Sequence, residues 1–366
     1  MSDGADPPES DRVPGAPHPR HTAAPLGHDA AIADFLGAAQ AHRLHHAWLI
    51  SGPRGVGKAT LAWAIARWLL AEGTAGDGLA IAPDHPVARR TAALSEPRLH
   101  LVRRGFDDKT GRMRAEISVD DIRALLSFFH MSAAEGGRRV AIIDAADELN
   151  NAAANALLKM LEEPPKGGVI LMIAHQPARL LPTIRSRCRE LRLSPLPPAV
   201  MADILTGLGV EADAQALSAL SGGSAGEALR LAGQDGLAVY ARIIELFATL
   251  PRFDRVKARV LADAAGGRAT ADGDPFDLAV TLLDRFLSRL ARAGLMGAPV
   301  PEAARGEAEL MARLCPDAGA ARIWAGAQAD LSARARAGRA VNLDPAALVM
   351  DMLIQLAGLA PAHAKA

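Results

Sequence analysis

One short stretch limits what this chain can fold into more than any other: Gly52-Pro53-Arg54-Gly55-Val56-Gly57-Lys58. Gly52 and Gly57 have four residues between them, and lysine follows the second. An apolar run, Ala47 to Ile50, precedes the stretch, and a helical pattern from Lys58 to about Leu70 follows it. Glycines let successive backbone N–H groups curl around a phosphate. The helix N-terminus adds positive potential, and the lysine is a point charge for the outer phosphates. Strand, loop and helix in that order predict a parallel βα unit with a candidate nucleotide site at Gly52, Gly55, Gly57, Lys58, Ala59 and Thr60. A glycine turn with an incidental lysine is the plainer reading of the seven residues, and the flanking elements argue against it.

A second stretch, Arg138 to Leu196, supplies the rest of such a sheet. Val140 to Ile143 is a β-branched run without alternation that ends on Asp144, as a strand buried on both faces does. Ligands of open α/β sheets bind at that carboxyl end. An acid there is by itself as well explained by a helix cap or a turn. Beside a phosphate loop it joins the candidate nucleotide-binding residues. A helix with Leu157, Leu158 and Leu161 on one face follows and stops at Pro164-Pro165. A second buried strand spans Val169 to Ala174, and a loop then carries Arg185 and Arg187.

Between these stretches Leu99 to Val102 reads as a strand. Arg103, Arg104, Lys109, Arg112 and Arg114 read as a basic hairpin, solvated or touching DNA or a partner. Ser118 caps a helix with Ile122, Leu125, Leu126 and Phe129 inward. Residues 1–24, rich in Pro, Gly, Asp and His, read as a disordered tail. A helix with Ile32, Phe35 and Leu36 inward follows. The helix after the loop stacks Leu61, Ile65, Trp68 and Leu69. Gly73 to Pro97 reads as a loop, with His85 solvated in it. Pro195-Leu196-Pro197-Pro198 reads as a linker. Beyond it helical patterns cover about 199–208, 212–220, 225–231, 237–250, 253–264, 276–295, 320–337 and 345–356.

Forty-one basic and 41 acidic residues balance, so no global field draws the chain to nucleic acid. The two cysteines, Cys188 and Cys315, exclude a disulfide framework and a four-cysteine zinc site. No apolar run is long enough to span a membrane and the N-terminus lacks a signal-peptide core, so a cytoplasmic chain is expected. One tyrosine and eight phenylalanines, mostly at core spacing, disfavour a single-strand-binding groove lined with aromatics.

The phosphate loop and the Asp144 strand together resemble the AAA+ ATPases. Asn155-Ala-Leu-Leu-Lys-x-Leu-Glu-Glu-Pro-Pro165 and Ser186-Arg187-Cys188 resemble motifs of the clamp-loader subunits of bacterial DNA polymerase III. The likeness runs from about Gly27 to about Leu231. It implies an α/β P-loop AAA+ domain with a parallel sheet over 25–196, a three-helix lid over 197–234 and an all-α collar over 235–366. It implies motor (tau/gamma) and delta subunits as partners, with the sliding clamp and primer-template DNA reached through the complex. Such subunits often hold a zinc module after the phosphate-loop helix; no cysteine stands there, so no zinc is expected.

Two kinds of subunit in that family carry Ser-Arg-Cys, an ATP-hydrolysing motor and a non-hydrolysing stator. Motors place a Mg²⁺-binding hydroxyl directly after the lysine. Here that residue is Ala59, and Thr60, one place on, is rotated about 100° around the helix. Motors follow the strand-end Asp with a Glu that polarises water; Ala145 follows Asp144, and Asp147 and Glu148 lie too far on. Motors carry a lid arginine where this chain reads Gly223-Ser224-Ala225-Gly226. The sensor strand ends on Ala174-His175-Gln176, without the usual threonine. Three losses favour the stator, with at most weak ATP or ADP binding. Arg187 would then act as an arginine finger in a neighbour's site, or else form a surface salt bridge. An active motor is the alternative. Cys188 reads as packing rather than a reactive thiol.

Overall fold

A computed structural model describes residues 9–13, 16–73, 78–107, 112–130, 137–270 and 273–360. The chain divides into two compact units, residues 1–200 with 224–226, and residues 201–223 with 227–366.

Among its described residues the first unit carries seven strands in chain order: β1 (Ala47–Ser51), β2 (Leu99–Arg103), β3 (Phe106–Asp107), β4 (Arg112–Met113), β5 (Arg139–Asp144), β6 (Gly168–Ala174) and β7 (Arg189–Arg192). Five form one sheet in the order β2-β5-β6-β1-β7, every pair parallel. β3 and β4 pair antiparallel as a small hairpin, the one expected from the basic run; Lys109 of that run lies outside the described residues. The helices are α1 (Asp29–Gln40), α2 (Lys58–Leu70), α3 (Pro86–Ala92), α4 (Val119–His130), α5 (Asn151–Glu162) and α6 (Pro182–Arg185), and α7 (Pro198–Gly207) starts here.

Successive strand residues point to opposite faces, and both faces are covered. Trp48, Ile50, Val140, Ile142, Leu171 and Ile173 pack with Leu61, Ile65 and Leu69 of α2. Leu49, Ala141, Ile143, Ile170 and Met172 pack with Leu125 of α4 and Leu157 and Leu161 of α5. Double coverage is why these strands read as unbroken apolar runs. Asn150 caps α5 by accepting the Ala153 N–H, and the helix ends at Glu162, just before the paired prolines.

Several local expectations change. Gly73 to Pro97 is not all loop: α3 begins at Pro86, and the His85 ring accepts the Val87 N–H as its N-cap. Phe128, not Phe129, is the fully packed aromatic of α4. Trp68 is only partly buried, whereas Trp63 on another side of α2 is fully buried. The described part of the N-terminal segment also has structure. Pro19–His21 form a 3-10 turn capped by His18. Buried Arg67 of α2 donates to the carbonyls of Arg20 (2.9 Å) and Thr22.

Among the described residues the named elements of the second unit are helices: the rest of α7, α8 (Ala214–Ser221), most of α9 (Ala225–Gly233), α10 (Gly236–Ala248), α11 (Arg255–Ala265), α12 (Pro275–Met296), α13 (Glu307–Leu314), α14 (Ala318–Ala340) and α15 (Pro345–Leu359). Asp213, Asp254, Asp274, Asp317 and Asp344 each cap a helix by accepting backbone N–H groups. α13 has no counterpart among the helical patterns of the sequence, because its first residue is a charge on a buried face. The Glu307 side chain is 0% exposed and pairs with Arg289 at 2.6 Å. It also accepts the Tyr240 hydroxyl (2.5 Å) and the Ala303 N–H (2.6 Å). A buried carboxylate persists only with such a complete set of partners.

Candidate nucleotide site and the exposed arginine

The phosphate loop leaves β1 with three glycines in the left-handed region, Gly52 (φ 142°), Gly55 (77°) and Gly57 (103°). At Gly52 the conformation and the space both demand glycine, since a Cβ there would lie 2.4 Å from the Leu193 carbonyl oxygen. The His28 Nε2–H donates to the Val56 carbonyl at 2.7 Å and pins the loop from the start of α1.

Lys58 opens α2, but its ammonium is turned onto its own loop. It donates to the carbonyls of Gly52 (2.8 Å) and Pro53 (2.6 Å), and the residue is only 3% exposed. Burial pulls its pKa down to about 8, against the attraction of Asp144 and Asp147. Asp144 ends β5. Burial pushes its carboxyl up to about 7, Asp11 and Glu148 add repulsion, and Lys58 opposes them. Asp144 therefore holds its proton more readily than an exposed carboxylate does.

The acids beyond Asp144 are engaged in structure. Asp147 accepts the N–H groups of His175 and Gln176, both at 3.0 Å, and so ties off the end of β6. Glu148 pairs with Arg104 at 2.7 Å. Burial and nearby Lys58 hold His175 down to about 4, so it is neutral at pH 7. Ala145 is buried. Ser224 donates to the Arg54 carbonyl (3.0 Å) and Gly226 N–H to the Gly55 carbonyl (2.9 Å). A Cβ on Gly226 would stand 3.0 Å from the Gly55 Cα, so a side chain there must push the loop backbone aside.

The described part of the segment expected to be a disordered tail is tied to the end of β2 through Glu9 and Asp11. Glu9 pairs with Arg20 (2.6 Å) and Arg103 (3.1 Å). Asp11 pairs with Arg103 (2.5 Å) and with His18 (3.0 Å), its side chain 0% exposed. Arg103 lies opposite Asp144 in the β2–β5 register. No local pattern joins an acid near the N-terminus to an arginine 92 residues on.

As arranged, these residues do not fit a magnesium nucleotide. The lysine is spent on the loop, and Ala59 and Ala145 bring neither hydroxyl nor carboxylate. The predicted residues Gly52, Gly55, Gly57, Lys58 and Asp144 do converge at the carboxyl end of the sheet.

Arg187 lies apart from them, after the short α6. Its guanidinium donates to the Thr183 carbonyl (3.0 Å) and pairs with Glu162 of α5 at 2.9 Å. The side chains are 36% and 51% exposed, so the pair is a weak surface one. Next to it Cys188 donates its thiol to the Ile184 carbonyl (3.0 Å), and burial pushes its pKa up to about 12, which leaves it inert.

Sheet, loop and strand-end acid define the class: an α/β P-loop domain joined to a helical unit. The profile of the family described as DNA polymerase III, delta subunit, matches residues 27–197. The delta' subunit of DNA polymerase III from Pseudomonas aeruginosa is 39% identical over 205 residues, 55% of this chain and 60% of that protein. The Bacillus subtilis delta' subunit is 34% identical over 210 residues, 57% of this chain and 60% of that protein. The gamma/tau subunit from Mycobacterium bovis is 30% identical over 291 residues, 71% of this chain and 47% of that protein. The chain thus resembles the delta-prime subunits of DNA polymerase III and is related to the gamma/tau subunits. Its matches span no more than about 60% of the length of these relatives.

Proposed function

We propose that this chain is the delta-prime-type stator of a DNA polymerase III clamp loader. It helps load the sliding clamp onto primer-template DNA without hydrolysing ATP itself. In that role it stands beside motor (tau/gamma) and delta subunits, with residues 197–234 as lid and 235–366 as collar. Arg187 serves a neighbour's ATP site as an arginine finger. A guanidinium suits that task because it stays charged and forks onto phosphate oxygens.

The observation that carries the reading is the contrast between the two sites. The chain's own phosphate loop is closed on Lys58 and flanked by Ala59, Ala145 and Gly226. Arg187, by contrast, lies on the surface, held by a solvent-exposed pair to Glu162 and by bonds to the Thr183 carbonyl and the Ser186 hydroxyl that a stronger phosphate partner can replace. The test is ATP turnover by the purified chain. None is expected, and none should return in the double variant Ala59→Thr/Ala145→Glu, because glycine would still stand at position 226 where motors carry the lid arginine. Turnover by the wild-type chain near the roughly 1–100 s⁻¹ of ordinary phosphoryl-transfer enzymes would support the motor alternative instead.

A further inference from the structure

Glu162 stands where a helix disfavours an acid. It is the last residue of α5, with Glu163 after it at the C-cap, and a carboxylate there meets the negative end of the macrodipole. The side chain is half exposed, so packing does not call for it either. What it holds is Arg187, with Oε1 at 2.9 Å from Nη2. Nη1 of the same guanidinium donates to the Thr183 carbonyl (3.0 Å) and reaches Ser186 Oγ at 3.5 Å. These holds are unequal, because a hydrogen bond to a charged acceptor is about twice as strong as one to a neutral acceptor.

The carboxylate is also presented from a fixed point. Leu157, Met160 and Leu161 of α5 are buried in one core with Ile184 of α6, the helix that precedes Arg187. His46 Nε2, just before β1, lies 3.1 Å from the Leu161 carbonyl and ties the last turn of α5 to the sheet. The acid and the arginine thus stand on two elements that share a core.

We propose that Glu162 is a positioning residue for Arg187. The proposal rests on the reading of Arg187 as a finger and names the group that aims it. A phosphate arriving at Arg187 takes Nη1 from the neutral Thr183 and Ser186 oxygens, while Glu162 keeps Nη2. The plane of the guanidinium stays set, and the large rotamer entropy of an arginine is lost in the resting chain rather than at the neighbour's site. Glu162 itself touches no reacting atom.

The test reconstitutes the complex with motor and delta subunits and measures clamp loading and DNA-stimulated ATPase. The variants are Glu162→Ala, Glu162→Gln, Arg187→Ala and Glu162→Ala/Arg187→Ala. Glu162→Ala should melt and assemble as wild type does and slow clamp loading about two- to fivefold, as much as an exposed ion pair can supply. The ATPase loss should fall on kcat with KM for ATP unchanged, because the neighbour's own loop binds the nucleotide. Glu162→Gln, which keeps an acceptor without the charge, should lie between. In the Arg187→Ala background Glu162→Ala should cost nothing more, because its whole effect passes through the arginine. Further loss there would make Glu162 a part of the fold or of another contact and overturn the proposal. Faster loading by Glu162→Ala would make the carboxylate a competitor of the phosphate, and unchanged loading would make it a bystander. Either result overturns the proposal, while slow loading by Arg187→Ala in the same experiment leaves the finger standing. If Arg187→Ala loads as fast as wild type, the finger falls and its positioning residue with it.

Discussion

Asp144→Asn is the substitution that most cleanly reads the state of the candidate site. In the folded chain the Asp144 carboxyl is raised from 3.8 to about 7. Below about pH 4 it is protonated both folded and unfolded, and contributes nothing. Between about pH 4 and 7 the unfolded chain releases the proton while the folded chain keeps it, so stability falls as pH rises. Above about pH 7 the full penalty of a buried carboxylate is present. A rise from 3.8 to about 7, at about 1.4 kcal/mol for each pH unit, amounts to about 4 kcal/mol. Asparagine removes that penalty but also removes the attraction that helps Lys58 stay charged, so a net gain of roughly 2 kcal/mol is expected at about pH 8. Urea unfolding followed by tryptophan fluorescence suits the test, because Trp48, Trp63 and Trp68 all lie in the first unit and only Trp324 in the second. The Asp144→Asn variant should be more stable than wild type at about pH 8, with the two curves converging at about pH 4. A variant less stable than wild type at the higher pH, or a gap independent of pH, would refute the assignment of Asp144 as a largely neutral acid.

In the helical unit, Tyr240→Phe should cost about 1–2 kcal/mol and Glu307→Ala about 3–5 kcal/mol, since the latter removes the buried carboxylate that pairs with part-buried Arg289; calorimetry reads both. Elemental analysis of the purified chain should find no stoichiometric zinc, because only two cysteines are present and they lie in different units; one zinc per chain would contradict this.

Much of the P-loop domain was legible because its chemistry is local. The Gly52 to Lys58 loop, the buried runs of β1, β5 and β6 and the proline stop after α5 each depend on a few adjacent residues. The helices of the second unit were legible where apolar spacing and Asp caps agree, as at Asp344-Pro345. α13 was not, because its buried position is held by Glu307, and a charge at a core site mimics a surface. His85 was not, because a histidine that caps a helix has the composition of a loop. The condition of the nucleotide site was half legible. Ala59, Ala145 and Gly226 announce what is missing, but nothing in sequence order shows Lys58 folded onto Gly52 and Pro53, or Asp11 meeting Arg103. Those contacts exist only once the sheet brings β2 beside β5.

The central claim is that this chain acts on a neighbour's ATP and not on its own. It is tested most directly by reconstituting the complex with Arg187→Ala and measuring ATPase and clamp loading side by side. Loss of the exposed Glu162 pair should leave melting and assembly within about 1 kcal/mol of wild type. Arginine fingers are worth roughly 10³–10⁵ in rate at the site they serve, but the remaining motors keep their own. DNA-stimulated ATPase should therefore fall only in part, and clamp loading should fall further, with Arg187→Lys resembling alanine because ammonium cannot reproduce the fork. Normal assembly with both rates unchanged would show that Arg187 is a surface ion pair and that the chain contributes no finger.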